Sequence, residues 1–302
     1  MICAAVDLGT NAFRLLIVRK SKNNPKVLKR YRSIIGLGSF LDSKEILNPP
    51  SSYYRTLNKI FSLIKEFEVE RVDIVGTSVF RKCRNKKSIQ AEFKKIYGHN
   101  LNIISPKKEA YLSSQGALSK IHTKKRYSVV VDIGGGSTEI VLNKNRKFLH
   151  YASIDTGVIT LMNKFNLTGN FRNEDLSQIE NYVEKQFCKK KIINQIHLTQ
   201  FDLIMNAGTP TTLASIKQRM QTYNQALING YRVSKKYTLM TLDKMNNTSV
   251  RNRLKIIGME KGREKVIIYG LIIVVAILNI LRKRAFIVSD SGILEGLINK
   301  SN

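Results

Sequence analysis

Short apolar segments alternate with longer amphipathic ones along most of the chain. Residues 4–18 read as two strands with β-branched, alternating side chains, joined by a turn at Gly9. Further strands are predicted over 72–76, 102–104, 127–132, 140–142, 201–205 and 286–289. Helical spacing of apolar residues predicts helices over 51–67, 89–97, 107–118 and 173–187, from about 211, and up to about 299. Strands that alternate with helices in this way predict an α/β fold.

Two regions carry a weaker pattern. Residues 153–160 are predicted to form a strand followed by a turn, and residues 232–265 are polar and predicted to be helical in pieces. The two regions add no motif of their own to the α/β pattern.

The most apolar segment runs from Val266 to Leu281 and holds 16 uncharged residues. As a helix it would be about 24 Å long, at 1.5 Å per residue. The hydrocarbon core of a bilayer is about 30 Å thick, so a buried core helix is the favoured interpretation. Basic residues on both sides, Lys265 and Arg282–Arg284, keep a spanning helix as the alternative.

A short motif occurs twice. Asp7-Leu-Gly-Thr-Asn and Asp132-Ile-Gly-Gly-Gly-Ser each follow an apolar strand and precede another. The apolar pairs Leu15-Leu16 and Ile140-Val141 lie at matching places after the two loops. The repeat predicts two similar domains whose loops face each other across a cleft.

The composition of these loops suits phosphate. Glycine allows a tight turn and a close approach of an anion to backbone N–H groups, which together form a nest. Hydroxyl side chains add donors, and a leading aspartate can hold a divalent cation. A third loop, residues 206–212, follows a strand and opens a helix, which directs N–H groups at an anion. One such loop alone is equally typical of an ordinary turn, whereas three in this order favour a phosphate-binding cleft.

Length and charge fit this interpretation. A chain of 302 residues is long enough for about two domains. The excess of 51 Lys and Arg over 22 Asp and Glu gives a net charge of +29, which attracts polyanions, although a general bias towards lysine is an equal alternative explanation of the charge.

The three cysteines lie too far apart in sequence for a disulfide framework or a metal motif. The first residues lack the pattern of a signal peptide, so a cytoplasmic location is expected.

Several further segments follow the order of one known family. They are Thr77–Asn85, Ile104–Ala110, Asp132–Glu139, Gly157, Asn206–Thr209, Arg263 and Ser291–Gly296. With the first loop, they make the sequence resemble the exopolyphosphatase / guanosine pentaphosphate phosphohydrolase (Ppx/GppA) family over nearly its whole length. The segment DIGGGSTE with its upstream Glu109-Ala110 is the most specific part of the match.

The resemblance implies two actin-like (ribonuclease-H-like, ASKHA) domains with an interdomain cleft. The first domain is expected over residues 1–116, with the return of a C-terminal helix from about 283–302, and the second over 117–282. The chain would be a short member of the family, without additional C-terminal helical domains. The apolar segment 266–281 then falls where this fold buries a helix of the second domain.

The resemblance also implies an activity: release of the terminal phosphate of inorganic polyphosphate or pppGpp, with Mg²⁺ or Mn²⁺. Glu109 matches the catalytic glutamate, and Asp132 and Glu139 match the acidic residues linked to the metal. The positions that match phosphate contacts are Gly9, Thr10, Asn11, Arg81, Gly134, Gly135, Gly136, Ser137, Thr138, Gly208 and Thr209.

Some positions depart from the family pattern. Lys108 replaces an acidic residue before Glu109 and is expected to lower the pKa of the glutamate. The segment Val158–Thr160 lacks an arginine that the family commonly has there. We favour an active, divergent enzyme, and the alternative is a non-catalytic protein that binds (p)ppGpp or polyphosphate.

Other functions are less well supported by the residues. A kinase or ATPase of the same superfold needs an adenosine pocket, and no clear nucleoside signature is present. Nucleic-acid binding has only the net charge in its favour, and no membrane partner is expected. A homodimer stays an option, because members of the family often dimerise. Arg14 is left unassigned, because its strand fits a sheet edge as well as a cleft wall.

Overall fold

A computed structural model describes residues 1–20, 25–167 and 169–299 of the chain. Two mixed β-sheets, each flanked by helices, confirm the predicted α/β fold. The strands are β1 (Ile2–Leu8), β2 (Ala12–Arg19), β3 (Lys26–Ile34), β4 (Arg71–Gly76), β5 (Asn102–Ile103), β6 (Tyr127–Ile133), β7 (Thr138–Lys144), β8 (Lys147–Ile154), β9 (Phe201–Asn206), β10 (Arg232–Ser234) and β11 (Ala285–Ser289).

The helices account for most of the remaining described residues. They are α1 (Ser51–Glu66), α2 (Ser78–Lys82), α3 (Lys86–Tyr97), α4 (Pro106–Ser119), α5 (Val158–Phe165), α6 (Asn173–Cys188), α7 (Ile192–His197), α8 (Gly208–Lys217), α9 (Gln225–Ile228), α10 (Lys235–Asn246), α11 (Val250–Arg253), α12 (Ile267–Ile280) and α13 (Ile293–Asn299). A short 3₁₀ helix spans Leu37–Phe40.

The first sheet has the strand order β3-β2-β1-β4-β5. β1, β2 and β3 form an antiparallel meander, whereas β4 and β5 run parallel to β1. The turn between β1 and β2 holds the first glycine loop. The carboxyl ends of β1 and β4 therefore lie side by side at one edge of the sheet, beside this loop.

The second sheet repeats this arrangement. Its order is β10-β11-β9-β6-β7-β8, in which β6, β7 and β8 form the meander and β9 and β11 continue in parallel. β10 adds an antiparallel edge strand. Asp7 lies near the end of β1 and Asp132 near the end of β6, so the sequence repeat corresponds to equivalent places in the two sheets.

Several elements differ from the sequence-based predictions. Residues 158–160 begin α5 and do not form a turn after a strand, because their N–H groups cap carbonyls of the second glycine loop. The sequence analysis does not predict strand β3, and it predicts helix where β10 lies, since both strands have few apolar residues and lie at sheet edges. α8 begins at Gly208, three residues before the predicted start, with its first turn in the third loop.

The apolar helix α12 lies in the core of the second half. Residues Ile267–Leu278 are all buried, and they pack against α5, α6, α8 and α10. A helix of 14 residues is about 21 Å long. None of the described helices combines the length and the apolar character needed to cross a bilayer, and the predicted buried core helix is confirmed.

α4 and α13 lie together between the two sheets. α13 packs on β1 and β2, and α4 packs on β6, β7 and β8 as well as on α13. The last strand, β11, belongs to the second sheet, so the chain crosses towards the first sheet after Ser289 rather than at about residue 283. The other expected domain limits stay predictions, and residues 300–302 of the expected C-terminal return lie outside the described residues.

Glycines permit the close approach of these two helices. A Cβ at Gly116 would overlap the carbonyl of Gly292, and a Cβ at Gly296 would overlap the carbonyl of Leu112. The two backbones are therefore in direct contact, with no room for a side chain between them. This contact fixes the position of α4 relative to both sheets.

We expect the substitution Gly116→Ala to destabilise the protein by about 1–3 kcal/mol, because a methyl group would overpack this contact. Alanine is favoured over glycine by about 1 kcal/mol in an exposed helix, so propensity alone predicts the opposite sign. Urea unfolding of the variant and the wild type measures the difference. Equal or greater stability of Gly116→Ala would contradict the contact described here.

Candidate active site

One cavity lies where the three loops meet between the sheets. Its walls come from the ends of β1, β6 and β9, from α2 and α4, and from the segment that precedes α13. The lining residues include Asp7, Gly9, Thr10, Asn11, Arg14, Arg32, Thr77, Ser78, Glu109, Asp132, Gly134, Gly135, Gly136, Ser137, Asn206, Gly208, Arg263, Asp290 and Gly292. The structure thus brings together ten of the predicted site residues: Gly9, Thr10, Asn11, Glu109, Asp132, Gly134, Gly135, Gly136, Ser137 and Gly208.

The first two glycine loops touch each other across the cavity. A Cβ at Gly135 would come within 2.8 Å of the backbone nitrogen of Asn11, and a Cβ at Gly136 would clash with Thr10 and Ser78. Only glycine allows this approach at either position. The loops that the sequence places 125 residues apart therefore form one continuous surface.

Backbone hydrogen bonds hold the second loop in place. The N–H groups of Val158 and Ile159 donate to the carbonyls of Gly134 and Gly135, at 3.0 and 2.8 Å. The hydroxyl of Thr160 donates to the carbonyl of Gly136 at 2.8 Å. The first turn of α5 thus donates hydrogen bonds to the carbonyl groups of the second loop. This is the segment that lacks the arginine common in the family.

Glu109 lies in the first turn of α4, at the cavity wall. Its Oε2 accepts a 2.6 Å hydrogen bond from Nη1 of Arg81, which also donates to the carbonyl of Ile104. Burial raises the pKa of Glu109 to about 7, although the charge and the hydrogen bond of Arg81 act in the opposite direction. Arg81 therefore reaches the site through Glu109, because its side chain is not part of the cavity wall.

The expectation that Lys108 lowers the pKa of Glu109 is wrong. Successive helix residues point in different directions, and the ammonium of Lys108 lies 5.2 Å from the centre of the Tyr111 ring. Desolvation by burial dominates the shift of the Glu109 pKa, and it is upward.

Asp7, which is buried, and Arg14, which is partly exposed, form an ion pair beside the first loop. Nε and Nη2 of Arg14 donate to Oδ2 of Asp7 at 2.9 and 2.5 Å. The other carboxylate oxygen, Oδ1, is buried without a hydrogen-bond partner. Burial raises the pKa of Asp7, and the charge of Asp132 adds to this, while Arg14 opposes it.

Glu139 lies one layer behind the cavity wall. Its Oε1 accepts hydrogen bonds from the hydroxyls of Ser137 and Ser153, at 2.8 and 2.7 Å. Burial raises the pKa of Glu139 well above its ordinary value, and the negative charges of Glu109 and Asp132 add to the rise. Glu139 reaches the cavity through Ser137 and is not itself exposed there.

Two predicted phosphate ligands also lie behind the wall. The hydroxyl of Thr138 donates to the carbonyl of Thr156 at 2.6 Å, and Thr209 packs against Gly270 of α12. Both side chains are buried, with Thr138 fully so. Their hydroxyls face the protein interior in this structure, since residues next to each other on a strand or helix cannot all face one cavity.

Three arginines to which the sequence analysis assigned no role line the cavity. Arg14 on β2 pairs in register with Arg32 on β3, and both face the cleft rather than a sheet edge. Arg263 is buried with its guanidinium against Gly208, where a Cβ would overlap it. Cross-strand pairing after recognition of β3 could have identified Arg14 and Arg32, and the position of Arg263 in the family order could have identified the third.

These arginines are matched by carboxylates. Arg32 and Arg263 both bind Glu260, at 2.5 and 2.9 Å. Burial lowers the pKa of Arg263, which the charge of Glu260 partly offsets. The cavity therefore presents preformed guanidinium groups whose remaining N–H groups are available to an anion.

The cavity also offers oxygen ligands for a cation. Oδ1 of Asp7 and Oδ1 of Asn206 are buried without hydrogen-bond partners, and Asp132 lies close to both. Carboxylate and carbonyl oxygens suit Mg²⁺ and Mn²⁺. Among the residues that the structure describes, no set of three His, Cys, Asp or Glu side chains converges as a ready metal site.

The paired sheets and facing glycine loops define the class of actin-like, ribonuclease-H-like folds, and solved structures confirm this. A Ppx/GppA enzyme from Aquifex aeolicus superimposes with a TM-score of 0.80 at 26% identity, covering 99% of this chain and 98% of the other. An exopolyphosphatase from Cytophaga hutchinsonii gives a TM-score of 0.89 at 24% identity, over 99% and 96% of the two chains, and supports the fold.

The particular family is clear from sequence comparison. The chain belongs to the Ppx/GppA phosphatase family, whose model matches residues 16–301. Exopolyphosphatase 2 of Mycobacterium tuberculosis is 30% identical over 313 aligned positions, covering 97% of this chain and 96% of the relative. The resemblance inferred from the motifs is confirmed.

Other relatives are longer. A bifunctional 3-dehydroquinate synthase/phosphatase of Fusobacterium nucleatum is 29% identical over 98% of this chain but only 47% of its own length. A guanosine-5'-triphosphate,3'-diphosphate pyrophosphatase of Pseudoalteromonas atlantica is 26% identical over 98% of this chain and 57% of its own length. The chain thus spans about half the length of several curated relatives that it matches.

The raised pKa of Glu109 predicts a pH-dependent cost to stability. An acid whose folded pKa exceeds its unfolded value favours the folded state most at low pH. Glu109 contributes to the free energy of unfolding below pH 4.5, and this contribution is lost as the pH rises to about 7. The loss is at most about 3 kcal/mol. Relative to wild type, the variant Glu109→Gln is therefore expected to gain stability between pH 5 and pH 8, as measured by urea unfolding at each pH.

A control variant isolates the effect of the buried position. Glu66→Gln changes an exposed glutamate on α1 and should show no such gain. A stability difference between Glu109→Gln and wild type that stays constant over this pH range would contradict the raised pKa.

Proposed function

We propose that the chain is a phosphohydrolase that releases the terminal phosphate of inorganic polyphosphate or of pppGpp. The observation that carries the proposal is the carboxylate of Glu109, held by Arg81 at the wall of a cavity built from facing glycine loops. Relatives named exopolyphosphatase and guanosine-5'-triphosphate,3'-diphosphate pyrophosphatase support both substrates.

Glu109 is the candidate general base. A pKa of about 7 lets its carboxylate accept a proton near neutral pH, where a glutamate at its ordinary value would be a weaker base. In the proposed step, the oxygen of an attacking water bonds to the terminal phosphorus and one of its protons passes to Glu109. The bond between that phosphorus and the bridging oxygen breaks, and the bridging oxygen leaves with the electron pair on the shortened phosphate chain. Arg81 holds the carboxylate in one orientation, and its charge keeps the pKa from rising further.

The phosphate groups would be held by the loops and the cleft arginines. Phosphoryl transfer depends mainly on positioning and on charge stabilisation rather than on covalent chemistry. The Thr10 and Ser137 side chains line the cavity beside the loop backbones. Arg14, Arg32 and Arg263 also line the cavity and supply guanidinium donors, which are suited to phosphate oxygens.

We infer that Mg²⁺ is the cofactor, with Mn²⁺ as a substitute, and that Asp132 is its main carboxylate. A bound divalent cation would neutralise charge on the phosphate oxygens. Glu139 would act through Ser137, since its carboxylate accepts the serine hydroxyl and lies behind the wall. The link between Glu139 and the metal, which the family resemblance implies, is therefore an indirect one in this proposal.

A cytoplasmic location is part of the proposal. The three cysteines are free thiols in the structure, two of them buried and one exposed. Free thiols are typical of proteins in reducing compartments.

The test is phosphate release by the purified protein from polyphosphate and from pppGpp at matched concentrations of terminal phosphate. Each substrate is assayed with Mg²⁺, with Mn²⁺ and with a chelator. Release from at least one substrate in the presence of metal is the expected result. Binding of either substrate without release, under every metal condition, would instead favour a non-catalytic phosphate-binding protein.

We expect Glu109→Gln to lower the rate of phosphate release by a factor of about 10²–10⁴, because the amide cannot accept the proton. Steady-state kinetics on the substrate that the wild type turns over measures the loss. Glu66→Gln on α1 is the matched control and should retain wild-type rates. A Glu109→Gln enzyme with more than about a tenth of wild-type activity would exclude Glu109 as the base.

Removal of the Arg81 charge should shift the pH dependence of phosphate release to higher pH. Arg81 lowers the pKa of Glu109, so Arg81→Gln is expected to raise it and to move the acidic limb of kcat/KM to higher pH. Arg84→Gln, an exposed arginine paired with Glu45, is the control and should leave the limb unchanged. An unchanged or lowered limb in Arg81→Gln would show that Glu109 does not set the pH profile.

A further inference from the structure

Asp132 belongs to a small buried network that the motifs do not describe. Ser113 lies on α4, one turn after Glu109, and its hydroxyl binds Oδ2 of Asp132. Nδ2 of Asn206 donates to Oγ of Ser113 at 2.9 Å and to Oδ2 of Asp132 at 3.1 Å. Ser113 and Asn206 are each about 1% exposed, so water does not compete for these contacts.

The donors and acceptors of this network fit in only one way. A carboxylate oxygen accepts hydrogen bonds and does not donate, so the amide group that faces Asp132 must be the NH₂ of Asn206. The serine hydroxyl accepts from this NH₂ and donates its single hydrogen to Asp132. Reversal of the Asn206 amide would place two acceptors against each other.

The amide orientation has a consequence for the cavity. With Nδ2 turned to Ser113 and Asp132, Oδ1 of Asn206 is a buried acceptor without a partner, on a residue that lines the cavity. A buried acceptor left unpaired is unfavourable, so a bound group is expected to compensate it. Phosphate oxygens are themselves acceptors and cannot pair with it, whereas a divalent cation can.

The backbone explains why these groups meet. Asp132 and Asn206 are register partners on the adjacent parallel strands β6 and β9. α4 packs on β6 and places Ser113 against Asp132. Gly292 leaves the space that Asn206 needs, because a Cβ there would come within 2.9 Å of Nδ2.

We propose that Asn206 supplies an oxygen ligand to the divalent cation through Oδ1, and that Ser113 is a positioning residue that fixes both Asn206 and Asp132 for this purpose. The inference rests on the proposed function only in taking Mg²⁺ or Mn²⁺ as the cation. It adds to Asp132 a neutral oxygen from the third loop and assigns a role to a serine outside the motifs. Carboxylate and carbonyl oxygens are both suitable for these ions.

The test measures metal binding without substrate. Mn²⁺ is titrated into the intact protein, and the free ion is followed by its electron paramagnetic resonance signal. Asn206→Ala and Ser113→Ala are each expected to weaken Mn²⁺ binding about tenfold or more, since outer-shell substitutions typically cost about 10–100-fold in metal affinity. An unchanged Mn²⁺ affinity in Asn206→Ala, or a wild type that binds no Mn²⁺, would overturn the proposal.

The neighbouring serine provides a matched control. Ser114 is also fully buried on α4, but its hydroxyl binds Oδ1 of Asn143 at 3.1 Å, away from the cavity. Ser114→Ala removes the same atom from the same helix and should leave the Mn²⁺ affinity within about twofold of wild type. Equal weakening in Ser113→Ala and Ser114→Ala would show a general structural effect and overturn the positioning role.

Folding and activity are measured in parallel. Ser113→Ala removes a single oxygen atom, so it decides the positioning role if thermal unfolding shows that Asn206→Ala does not fold. A wild type that binds Mn²⁺ but releases no phosphate, with weakened binding in both variants, would reject the proposed function and support this inference. If the wild type releases phosphate but the variants bind Mn²⁺ as the wild type does, the proposed function is supported and this inference is rejected.

Discussion

The contact between α4 and α13 is the constraint on which the site depends. Gly116 and Gly296 let the two backbones touch, and this fixes α4 between the two sheets. The same helix carries Glu109 and Ser113, one turn apart, so its position sets both the candidate base and the contact to Asp132. Gly292 takes part in both features: its carbonyl contacts Gly116, and its lack of a side chain leaves room for Asn206. Small changes in helix packing would therefore displace several groups of the cavity together.

Burial of charge is the second constraint, and it has a chemical result. Asp7 and Glu139 are buried and Glu109 is largely buried, and the pKa of each is raised. Arg14 and Arg81 offset part of this cost for Asp7 and Glu109, whereas Glu139 has only serine hydroxyls. For Glu109, which Arg81 holds at the cavity wall, the balance of burial and pairing gives a pKa of about 7. A cation in the cavity would compensate the remaining negative charge.

The sequence predicted what depends on local pattern and on repeated motifs. The α/β class, the two facing glycine loops and the buried α12 all follow from periodicity and from glycine spacing. What it missed depends on contacts between distant segments. Arg14 faces the cavity only because β3 pairs with β2, and β3 has too few apolar residues to be recognised. Thr138 and Glu139 follow Ser137 directly, yet only Ser137 lines the cavity, because strand alternation turns Thr138 away and Glu139 accepts the serine hydroxyl behind it. Burial, rather than the neighbouring Lys108, sets the pKa of Glu109, and burial is a property of the folded chain.

The net charge of +29 and the charge of the cavity have different consequences. Each cleft arginine is paired with a carboxylate: Arg14 with Asp7, Arg81 with Glu109, and Arg32 and Arg263 with Glu260. The charged residues that line the cavity are three arginines (Arg14, Arg32, Arg263) and four carboxylates (Asp7, Glu109, Asp132, Asp290), so the cavity has a slight negative excess before a cation binds, and the positive excess of the chain lies outside it. A distant positive field raises the encounter rate with any polyanion but does not select among them. In the proposed function, selection of a phosphoanhydride end would then come from the loops, the guanidinium groups and a cation held by Asp132 and Asn206.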